Sequence, residues 1–377
     1  MIHFNRPHLT GNETKYIKEA VQGGKISGNG VFTKRCQEYF CSRYGFKKCL
    51  LTTSCTDALE MAAILTGVGP GDEVIVPSYT FVSSALAFLR CGAKIVFADS
   101  RSDEPNIDAN LIESLITPRT KVIVPVHYAG CACDMDAIMT IAEKHGLLVV
   151  EDAAQAIDSY YIGKDGTKRA LGSIGHLGCF SFHETKNIIS GEGGMLAIND
   201  ERFIRRAEII WEKGTNRAEF FRGEVNKYGW VDIGSSFLPT EVVSAFLWAQ
   251  VEHLDEIQTE RKRLWTVYRD FFDQLKDPRV SLPKVPEYAT NNAHMFYVLF
   301  PDLAQRTDFI AKMKAKDVLT VFHYLPLHSS EYYKARHDGR ALPNCDRYSD
   351  TLVRLPLYCG LAEEQEQVLA AIRESLL

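Results

Sequence analysis

Short apolar runs alternate with stretches of helical spacing between about residues 47 and 198. The runs are continuous rather than alternating, as in strands buried on both faces of a sheet. They predict strands at 47–51, 73–76, 94–98, 121–125, 147–151, 179–182 and 195–198. Helical spacing between them predicts helices at 56–65, 83–90, 108–115 and 134–145. Asp108 and Asp134 stand where an N-cap or first-turn acid belongs. The alternation predicts a doubly wound α/β sheet.

A different pattern follows this region. Helical periodicity covers 201–212 and 240–275, and the second stretch is long enough to connect two domains. The remaining chain predicts a smaller unit with a strand at 294–300, a helix at 307–316, a strand at 319–324 and a helix at 362–376. We therefore expect a large α/β domain over residues 1–255, and a bridging helix with a small α+β C-terminal domain over residues 256–377.

Composition supports an ordinary globular protein with few classes of partner. The 377 residues are 46% hydrophobic and 24% charged, which is ample material for a sizeable core. The net charge is −5 with no block of like charges, so nothing directs the surface to nucleic acid or to anionic lipid. Residues 1–7 lack the apolar stretch of a signal peptide, and no apolar run reaches membrane-spanning length. We expect a cytoplasmic protein with neither nucleic acid nor membrane as partner.

A lysine and an aspartate carry the strongest chemical signal. Lys186 lies in the run SFHETKN, shortly before GEGG, and Asp152 lies in EDAAQ at the end of a predicted apolar strand. Pyridoxal phosphate (PLP) chemistry requires a lysine amine to bind the aldehyde and a carboxylate to keep the pyridine nitrogen protonated. Alone, Lys186 fits a surface lysine and Asp152 fits a capping or loop residue. The small and hydrogen-bonding neighbours of Lys186 favour a PLP site.

A cluster of hydroxyl residues offers a place for the phosphate. Residues 52–56, Thr-Thr-Ser-Cys-Thr, follow the first predicted strand and open a helix, where backbone N–H groups bind anions. Ser181 adds a hydroxyl beside the lysine loop. Such a cluster alone is more often only an N-cap. Its position after a strand of a sheet that also carries the lysine and the aspartate favours phosphate binding.

Other residues near these motifs are candidates for ring and substrate contacts. Gln155 follows Asp152 by one turn and suits the cofactor's phenolic oxygen or the substrate. Phe81 or Tyr79 suits stacking on the pyridine ring, with core packing as the alternative.

The histidines His183, His323 and His328 are candidates for substrate contact or a proton relay, with structural roles as the alternative. Their spacing supports no metal site, so no metal is expected. Cys131 and Cys133 form C-x-C without a second Cys/His pair, which favours small loop residues over metal ligands.

Taken together, these residues resemble the DegT/StrS-type aminotransferase family. Its members are PLP enzymes of the type I (aspartate aminotransferase) fold that aminate nucleotide-linked keto sugars. The resemblance extends from FNRP at 4–7 to RLPL at 354–357. Its specific markers are PSYTFVSS, VPVHYAG, EDAAQ and SFHETKN with GEGG.

The resemblance implies roles for individual residues. Lys186 would bind the cofactor and act as general base, with Asp152 at the pyridine nitrogen. The resemblance places the remaining cofactor contacts at Ser54, Cys55, Thr56 and Ser181 around the phosphate, Phe81 on the ring face and Gln155 at the phenolic edge. Most members carry an asparagine that reaches the phosphate of the neighbouring subunit. Ser236 stands in its place here, and Leu238 stands where those members have an arginine. The family pattern thus implies a homodimer with shared active sites.

Further segments are similar to one subgroup of the family. They are SCTDALEMAA, CFSFHETKN, EKGTNRAEFFRG, DIGSS and AHMFY. This similarity implies transfer of an amino group from L-glutamate to the 4-keto group of dTDP-4-keto-6-deoxy-D-glucose, for surface-polysaccharide synthesis. One alternative is a dTDP-3-keto-6-deoxyhexose 3-aminotransferase, which needs the same cofactor residues. A sugar dehydratase is disfavoured because that chemistry goes with a histidine where Lys186 stands. A non-catalytic PLP-binding regulator is disfavoured because no DNA-binding extension or basic patch is present.

Overall fold

A mixed seven-stranded sheet forms the centre of the molecule, with two smaller two-stranded sheets beside it. The computed structural model describes residues 1–377. The strands are β1 (Lys48–Thr52), β2 (Glu73–Pro77), β3 (Lys94–Ala98), β4 (Thr120–Ile123), β5 (Leu148–Asp152), β6 (Tyr160–Ile162), β7 (Lys168–Ala170), β8 (Leu177–Ser181), β9 (Gly194–Ile198), β10 (Phe296–Leu299) and β11 (Leu352–Leu355). The α-helices are α1 (Glu13–Gln22), α2 (Val31–Tyr44), α3 (Cys55–Thr66), α4 (Ser83–Arg90), α5 (Ala109–Leu115), α6 (Met135–His145), α7 (Ile204–Trp211), α8 (Arg217–Phe221), α9 (Glu241–Glu252), α10 (Leu254–Leu275), α11 (Leu303–Ala315), α12 (Pro343–Thr351) and α13 (Ala362–Leu376).

The strand order of the central sheet is β1-β9-β8-β5-β4-β2-β3. Neighbouring strands run parallel from β8 to β3, whereas β9 is antiparallel to both β8 and β1. The C-terminal ends of β1, β2, β5 and β8 therefore meet at one edge of the sheet. In an open α/β sheet this edge is where ligands bind.

Helices cover both faces of the sheet. Alternate residues of β2 belong to two different apolar clusters, with Val74 and Val76 on one face and Ile75 on the other. The first cluster continues into α3, α4 and α7, and the second into α2, α6 and α9. Burial on both faces explains why the strand sequences are continuously apolar, and it confirms the predicted doubly wound α/β sheet.

The C-terminal part of the chain has its own apolar cluster. Tyr268 of α10, Phe296 of β10, Val353 of β11 and Ile372 of α13 pack in it. The predicted strand at 319–324 is wrong: only Val321 forms an isolated bridge, and β11 pairs with β10 instead. The chain leaves the sheet after Val321, and His323 and Tyr324 line a cavity at the edge of the large sheet.

The predicted helix at 240–275 is two helices. The chain breaks at His253, whose backbone φ of −108° and ψ of 14° are not helical. The break allows α9 to pack against α1 and α2 while α10 packs in the C-terminal cluster. Division of the chain into domains between residues 255 and 256 stays a prediction. None of these helices has the length and apolar character needed to cross a membrane.

Candidate active site

A cavity of about 610 Å³ opens at the C-terminal edge of the central strands. It brings together residues that the sequence analysis selected from distant segments. Those that line it are Ser54, Cys55, Thr56, Phe81, Asp152, Gln155, Ser181, His183, Lys186 and His323. Each lies at or just beyond the end of a strand, except His323, which comes from the C-terminal part of the chain.

Lys186 stands in the loop between β8 and β9. The loop is held by the Ser190 N–H, which donates to the carbonyl of Phe182 at 2.7 Å. Burial, aided by the nearby charge of Arg354 and opposed by Cys55 and Asp152, lowers the pKa of Lys186 from 10.5 to about 8. About a tenth of the amine is therefore neutral at pH 7, far more than for a lysine of ordinary pKa, and this neutral form is a nucleophile and a base.

Asp152 is the last residue of β5, and its side chain is buried. One carboxylate oxygen accepts a hydrogen bond from the Ser84 hydroxyl at 2.6 Å, and the other accepts one from the Ala154 N–H at 3.1 Å. The hydroxyl of Thr80 lies 2.8 Å from that of Ser84. Burial raises the pKa of Asp152, against the opposing effect of the Ser84 hydrogen bond. A cation facing this carboxylate, such as a protonated pyridine nitrogen, would stabilise its charged form.

The neighbouring Glu151 faces the opposite side of the sheet and anchors the strand end. One of its carboxylate oxygens accepts from the N–H of Ile174 at 2.7 Å. The other accepts from the N–H of Gly172 at 2.8 Å and lies 2.8 Å from Nε2 of His127. A fully buried carboxylate with this many partners fixes the backbone at Glu151 and thereby the position of Asp152.

The N-terminus of α3 borders the cavity. Ser54 caps this helix of twelve residues, its hydroxyl oxygen accepting from the N–H of Asp57 at 3.0 Å. The Thr56 hydroxyl lies 2.8 Å from that of Ser83. Gly194 in β9 packs directly against this turn, because a Cβ there would lie 2.4 Å from the carbonyl of Ser54. Backbone N–H groups, hydroxyls and the helix dipole together suit a phosphate group.

The two aromatic candidates behave differently. Phe81 is 56% exposed and lines the cavity, whereas Tyr79 is 1% exposed and packs in the core. Phe81 lies next to Tyr324, with 6.1 Å between ring centroids. Gln155 donates from Nε2 to the Tyr324 hydroxyl at 3.2 Å and accepts from the Ala129 N–H at 2.6 Å, so its amide orientation is fixed.

The histidines and Ser236 divide into two groups. His183 and His323 line the cavity. His328 lies outside it, with Nδ1 2.8 Å from the hydroxyl of Ser78. Ser236 is exposed and also lies outside the cavity, in a backbone bridge with Glu212. Within one chain, the structure does not bring His328 or Ser236 to the other candidates.

Several residues of the site were not selected from the sequence. Ser84 and Thr80 lie in the segment PSYTFVSS, one of the markers of the family resemblance. This segment therefore contains the Ser84 hydroxyl that contacts Asp152 and the Thr80 hydroxyl that contacts Ser84. Tyr324 and Arg354 come from the C-terminal part of the chain and line the same cavity as Lys186. Both lie in segments that the sequence analysis named, RLPL at 354–357 and the run 319–324, but neither was selected as a site residue, since they reach the site only through the packing of β11 and the segment after Val321.

The cavity combines the three features that PLP binding requires: a lysine beyond one strand end, a buried carboxylate at another, and a helix N-terminus suited to phosphate. Together with the mixed sheet, they define a PLP-dependent enzyme of the type I fold. The chain belongs to the DegT/DnrJ/EryC1/StrS aminotransferase family, whose model matches residues 7–373. It is therefore a PLP-dependent sugar aminotransferase.

Individual relatives agree with this assignment over nearly the whole chain. GDP-perosamine synthase of Caulobacter vibrioides is 34% identical over 98% of this chain and 97% of its own. Spore coat polysaccharide biosynthesis protein SpsC of Bacillus subtilis is 32% identical over 98% of this chain and 96% of its own. A Streptococcus pneumoniae protein assigned as a sugar aminotransferase superposes in its PMP form with a TM-score of 0.90, at 25% identity, covering 100% of this chain and 99% of the other. That protein has also been solved in a PLP form.

Proposed function

We propose that this enzyme transfers the amino group of L-glutamate to the 4-keto group of dTDP-4-keto-6-deoxy-D-glucose, giving dTDP-4-amino-4,6-dideoxy-D-galactose. The observation that carries the proposal is the shared cavity of Lys186, Asp152 and the α3 N-terminus. The choice of sugar and nucleotide rests on the segments similar to the 4-aminotransferase subgroup.

Lys186 performs the proton transfers. PLP, when bound, carries the amino group between donor and ketone and takes up the electron pair left by a departing proton. Lys186 would hold the cofactor through its side-chain amine. The same amine, whose pKa burial lowers in the cofactor-free protein, would take the proton from the donor's α-carbon. In the second half of the reaction the same amine delivers a proton to C4 of the sugar, and the face from which it does so fixes the configuration of the product.

The remaining residues bind and orient. Asp152, held by Ser84 and Ala154, keeps the ring nitrogen protonated. Ser54, Cys55 and Thr56 at the start of α3, together with Ser181, bind the phosphate. Phe81 and Gln155 also line the cavity, where Phe81 would cover one face of the ring and Gln155 would lie at its phenolic edge. His183 and His323 contact the substrate from the cavity wall.

The working form is a homodimer in the cytoplasm, dividing into a large domain to residue 255 and a small domain from residue 256. Ser236, which is exposed and does not line the cavity of its own chain, reaches the phosphate in the partner's site. Phe221 and Trp230, exposed by 69% and 84%, lie in the same region of the chain and suit an interface. The product serves surface-polysaccharide synthesis.

The test is to incubate the protein with PLP, L-glutamate and dTDP-4-keto-6-deoxy-D-glucose and to locate any new amine by NMR. We expect an axial amine at C4. A parallel incubation supplies the corresponding 3-keto sugar instead. If that sugar gains an amine at C3 and the 4-keto sugar gains none at C4, the 3-aminotransferase alternative replaces the proposal. Because one relative is a GDP-perosamine synthase, the GDP-linked keto sugar is the matched comparison. If glutamate leaves the absorbance of bound PLP unchanged, the catalytic proposal fails and the regulator alternative replaces it.

A further inference from the structure

Asn187, the residue after Lys186, is held by three hydrogen-bond partners. The side chain is buried, and its Nδ2 donates to Oε1 of Gln258 at 2.7 Å and to the backbone carbonyl of Asn292 at 2.8 Å. Its Oδ1 lies 2.9 Å from Nδ1 of His294. Because a backbone carbonyl can only accept, the amide orientation of Asn187 is fixed, and its Oδ1 accepts from His294.

His294 is a neutral donor with a defined tautomer. Burial holds the pKa of His294 well below its ordinary value. The nearby positive charges of Lys186, Arg354 and Arg261 act in the same direction. A neutral imidazole carries one proton, and the contact with Asn187 places that proton on Nδ1. The ring therefore orients its neighbour without adding a charge to the site.

Backbone contacts fix the position of His294. Arg261 of α10 donates from Nε to the carbonyl of Ala293 at 3.1 Å and from Nη2 to that of His294 at 2.7 Å. The N–H of His294 donates to Oδ1 of Asn292 at 3.0 Å, and Nδ2 of Asn292 donates to the carbonyl of Gln155 at 2.8 Å. Ala293 has a φ of 52°, a left-handed conformation that persists only where its surroundings impose it. This segment thus connects the Gln155 backbone to the loop between β8 and β9.

We propose that His294 is a positioning residue for Lys186, and that by holding Asn187 it keeps the lysine amine in place to attack the aldehyde carbon of PLP. Asn187 and Lys186 share a peptide bond, so a released Asn187 side chain frees the backbone that carries the amine. A misplaced amine attacks more slowly, whereas the groups that hold the phosphate and the ring are unchanged. The inference rests on the proposed role of Lys186 in holding the cofactor.

PLP capture by the cofactor-free protein tests the proposal without glutamate or a sugar. Stopped-flow absorbance at increasing PLP concentration separates the half-saturating concentration, which reports encounter, from the limiting rate, which reports attack by the amine. We expect His294→Leu to lower the limiting rate about 10- to 100-fold and to change the half-saturating concentration less than about threefold. His294→Asn keeps an N–H donor near the position of Nδ1 and is expected to restore the limiting rate to within about threefold of wild type.

The PLP-bound enzyme gives a second readout. The visible circular dichroism of bound PLP depends on how firmly the protein orients the cofactor. We expect this signal to weaken in His294→Leu and to return in His294→Asn, at equal PLP occupancy.

A second substitution tests whether His294 acts through Asn187. Asn187→Ala is expected to slow capture at least as much as His294→Leu. Adding His294→Leu to Asn187→Ala is expected to lower the limiting rate further by less than about twofold. The matched control is Gln365→Leu, which removes one buried hydrogen bond to the carbonyl of Leu264, outside the cavity. It is expected to lower the melting temperature and to leave the capture rate unchanged.

Wild-type limiting rates in His294→Leu and Asn187→Ala would overturn the proposal. A limiting rate in His294→Leu that returns to the wild-type value at high pH would also overturn it, because His294 would then act on the charge of Lys186 and not on its position. If His294→Leu does not fold, Asn187→Ala decides by the same criterion.

Lys186→Ala distinguishes failure of this inference from failure of the proposed role of Lys186. Capture of PLP by Lys186→Ala at the wild-type rate would refute that role and the inference with it. Loss of capture in Lys186→Ala alongside normal capture in His294→Leu would refute this inference alone.

Discussion

Burial shifts the pKa values of Lys186 and Asp152 in opposite directions within one cavity. It lowers the pKa of Lys186 to about 8 and raises that of Asp152, so both groups move towards their neutral forms. For the lysine this is useful at once, because a neutral amine is the reactive species. For the aspartate the hydrogen bonds from Ser84 and Ala154 oppose the shift and favour the carboxylate that a ring nitrogen requires.

The lowered pKa of Lys186 predicts how PLP capture by the cofactor-free protein depends on pH. Only the neutral amine attacks the aldehyde, so the rate is expected to rise about tenfold per pH unit below pH 8 and to level above about pH 8. Stopped-flow absorbance measures it. A profile that keeps rising to pH 10 would mean that the amine behaves as an ordinary exposed lysine. Lys186→Ala is the control and is expected to show no such capture and at least about a thousandfold slower transamination.

Removing the charge of Asp152 tests the ring-nitrogen assignment. Asp152→Asn keeps the shape but no longer stabilises a protonated nitrogen, so conversion of PLP to PMP by glutamate is expected to slow roughly 100-fold or more. PLP binding through Lys186 should persist, which the absorbance of the bound cofactor reports. Asp350→Asn, an exposed change on α12, is the matched control. An unchanged rate in Asp152→Asn would show that this side chain does not face the nitrogen.

At the level of elements, the position of α3 depends on a glycine in the neighbouring strand. Gly194 of β9 lies between Thr52 of β1 and Ser181 of β8 in the sheet register. A Cβ at Gly194 would lie 2.4 Å from Ser54 and 2.5 Å from the N of Cys55. Only the absence of a side chain lets the helix N-terminus sit this close to the strand.

Gly194→Ala is therefore expected to displace the start of α3 and to weaken PLP binding by roughly tenfold or more, since overpacking a rigid contact costs about 1–3 kcal/mol. Fluorescence titration gives the dissociation constant, and thermal melting reports the accompanying loss of stability. The control is Gly69→Ala, because a Cβ at Gly69 meets no atom within 4 Å. Wild-type PLP affinity in Gly194→Ala would show that the N-terminus of α3 does not hold the phosphate.

Elements with a strong local pattern were predictable. The strand 94–98 and the helices 83–90 and 362–376 have the predicted bounds. Asp108 and Asp134 are N-caps whose side chains accept from Asn110 and Ala137 at 3.0 and 3.1 Å. Here the local sequence and the tertiary structure favour the same conformation.

Elements defined by distant contacts were not predictable from local pattern. The apolar run containing β11 becomes a strand because β10 lies beside it, whereas the similar run at 319–324 leaves the sheet. The break at His253 depends on two helices packing against different clusters. The site divides in the same way: Lys186 and Asp152 carry motifs, but Arg354 joins them only through the tertiary packing.

For the whole molecule, the main unexplained feature is a segment whose large aromatic side chains are exposed in the single chain. Phe221, Tyr228 and Trp230 are exposed by 69%, 51% and 84%. Large exposed apolar groups of this kind mark interaction surfaces. Ser236 follows them in the chain and is also exposed. A homodimer that covers the aromatic residues and brings Ser236 to the partner's cavity would account for both observations.

Complementation between two defective chains tests whether active sites are shared. Lys186→Ala lacks the catalytic amine, and Ser236→Asp places a negative charge where the partner's phosphate would bind, so each homodimer is expected to be inactive. After subunit exchange, half of the dimers are mixed, and each mixed dimer has one site with both native residues. Activity should therefore recover to about a quarter of the wild-type value. Exchange of Lys186→Ala with Lys186→Ala bearing a different tag controls for the procedure. If Ser236 acts only within its own chain, mixing restores nothing, and sedimentation then shows whether a dimer forms at all.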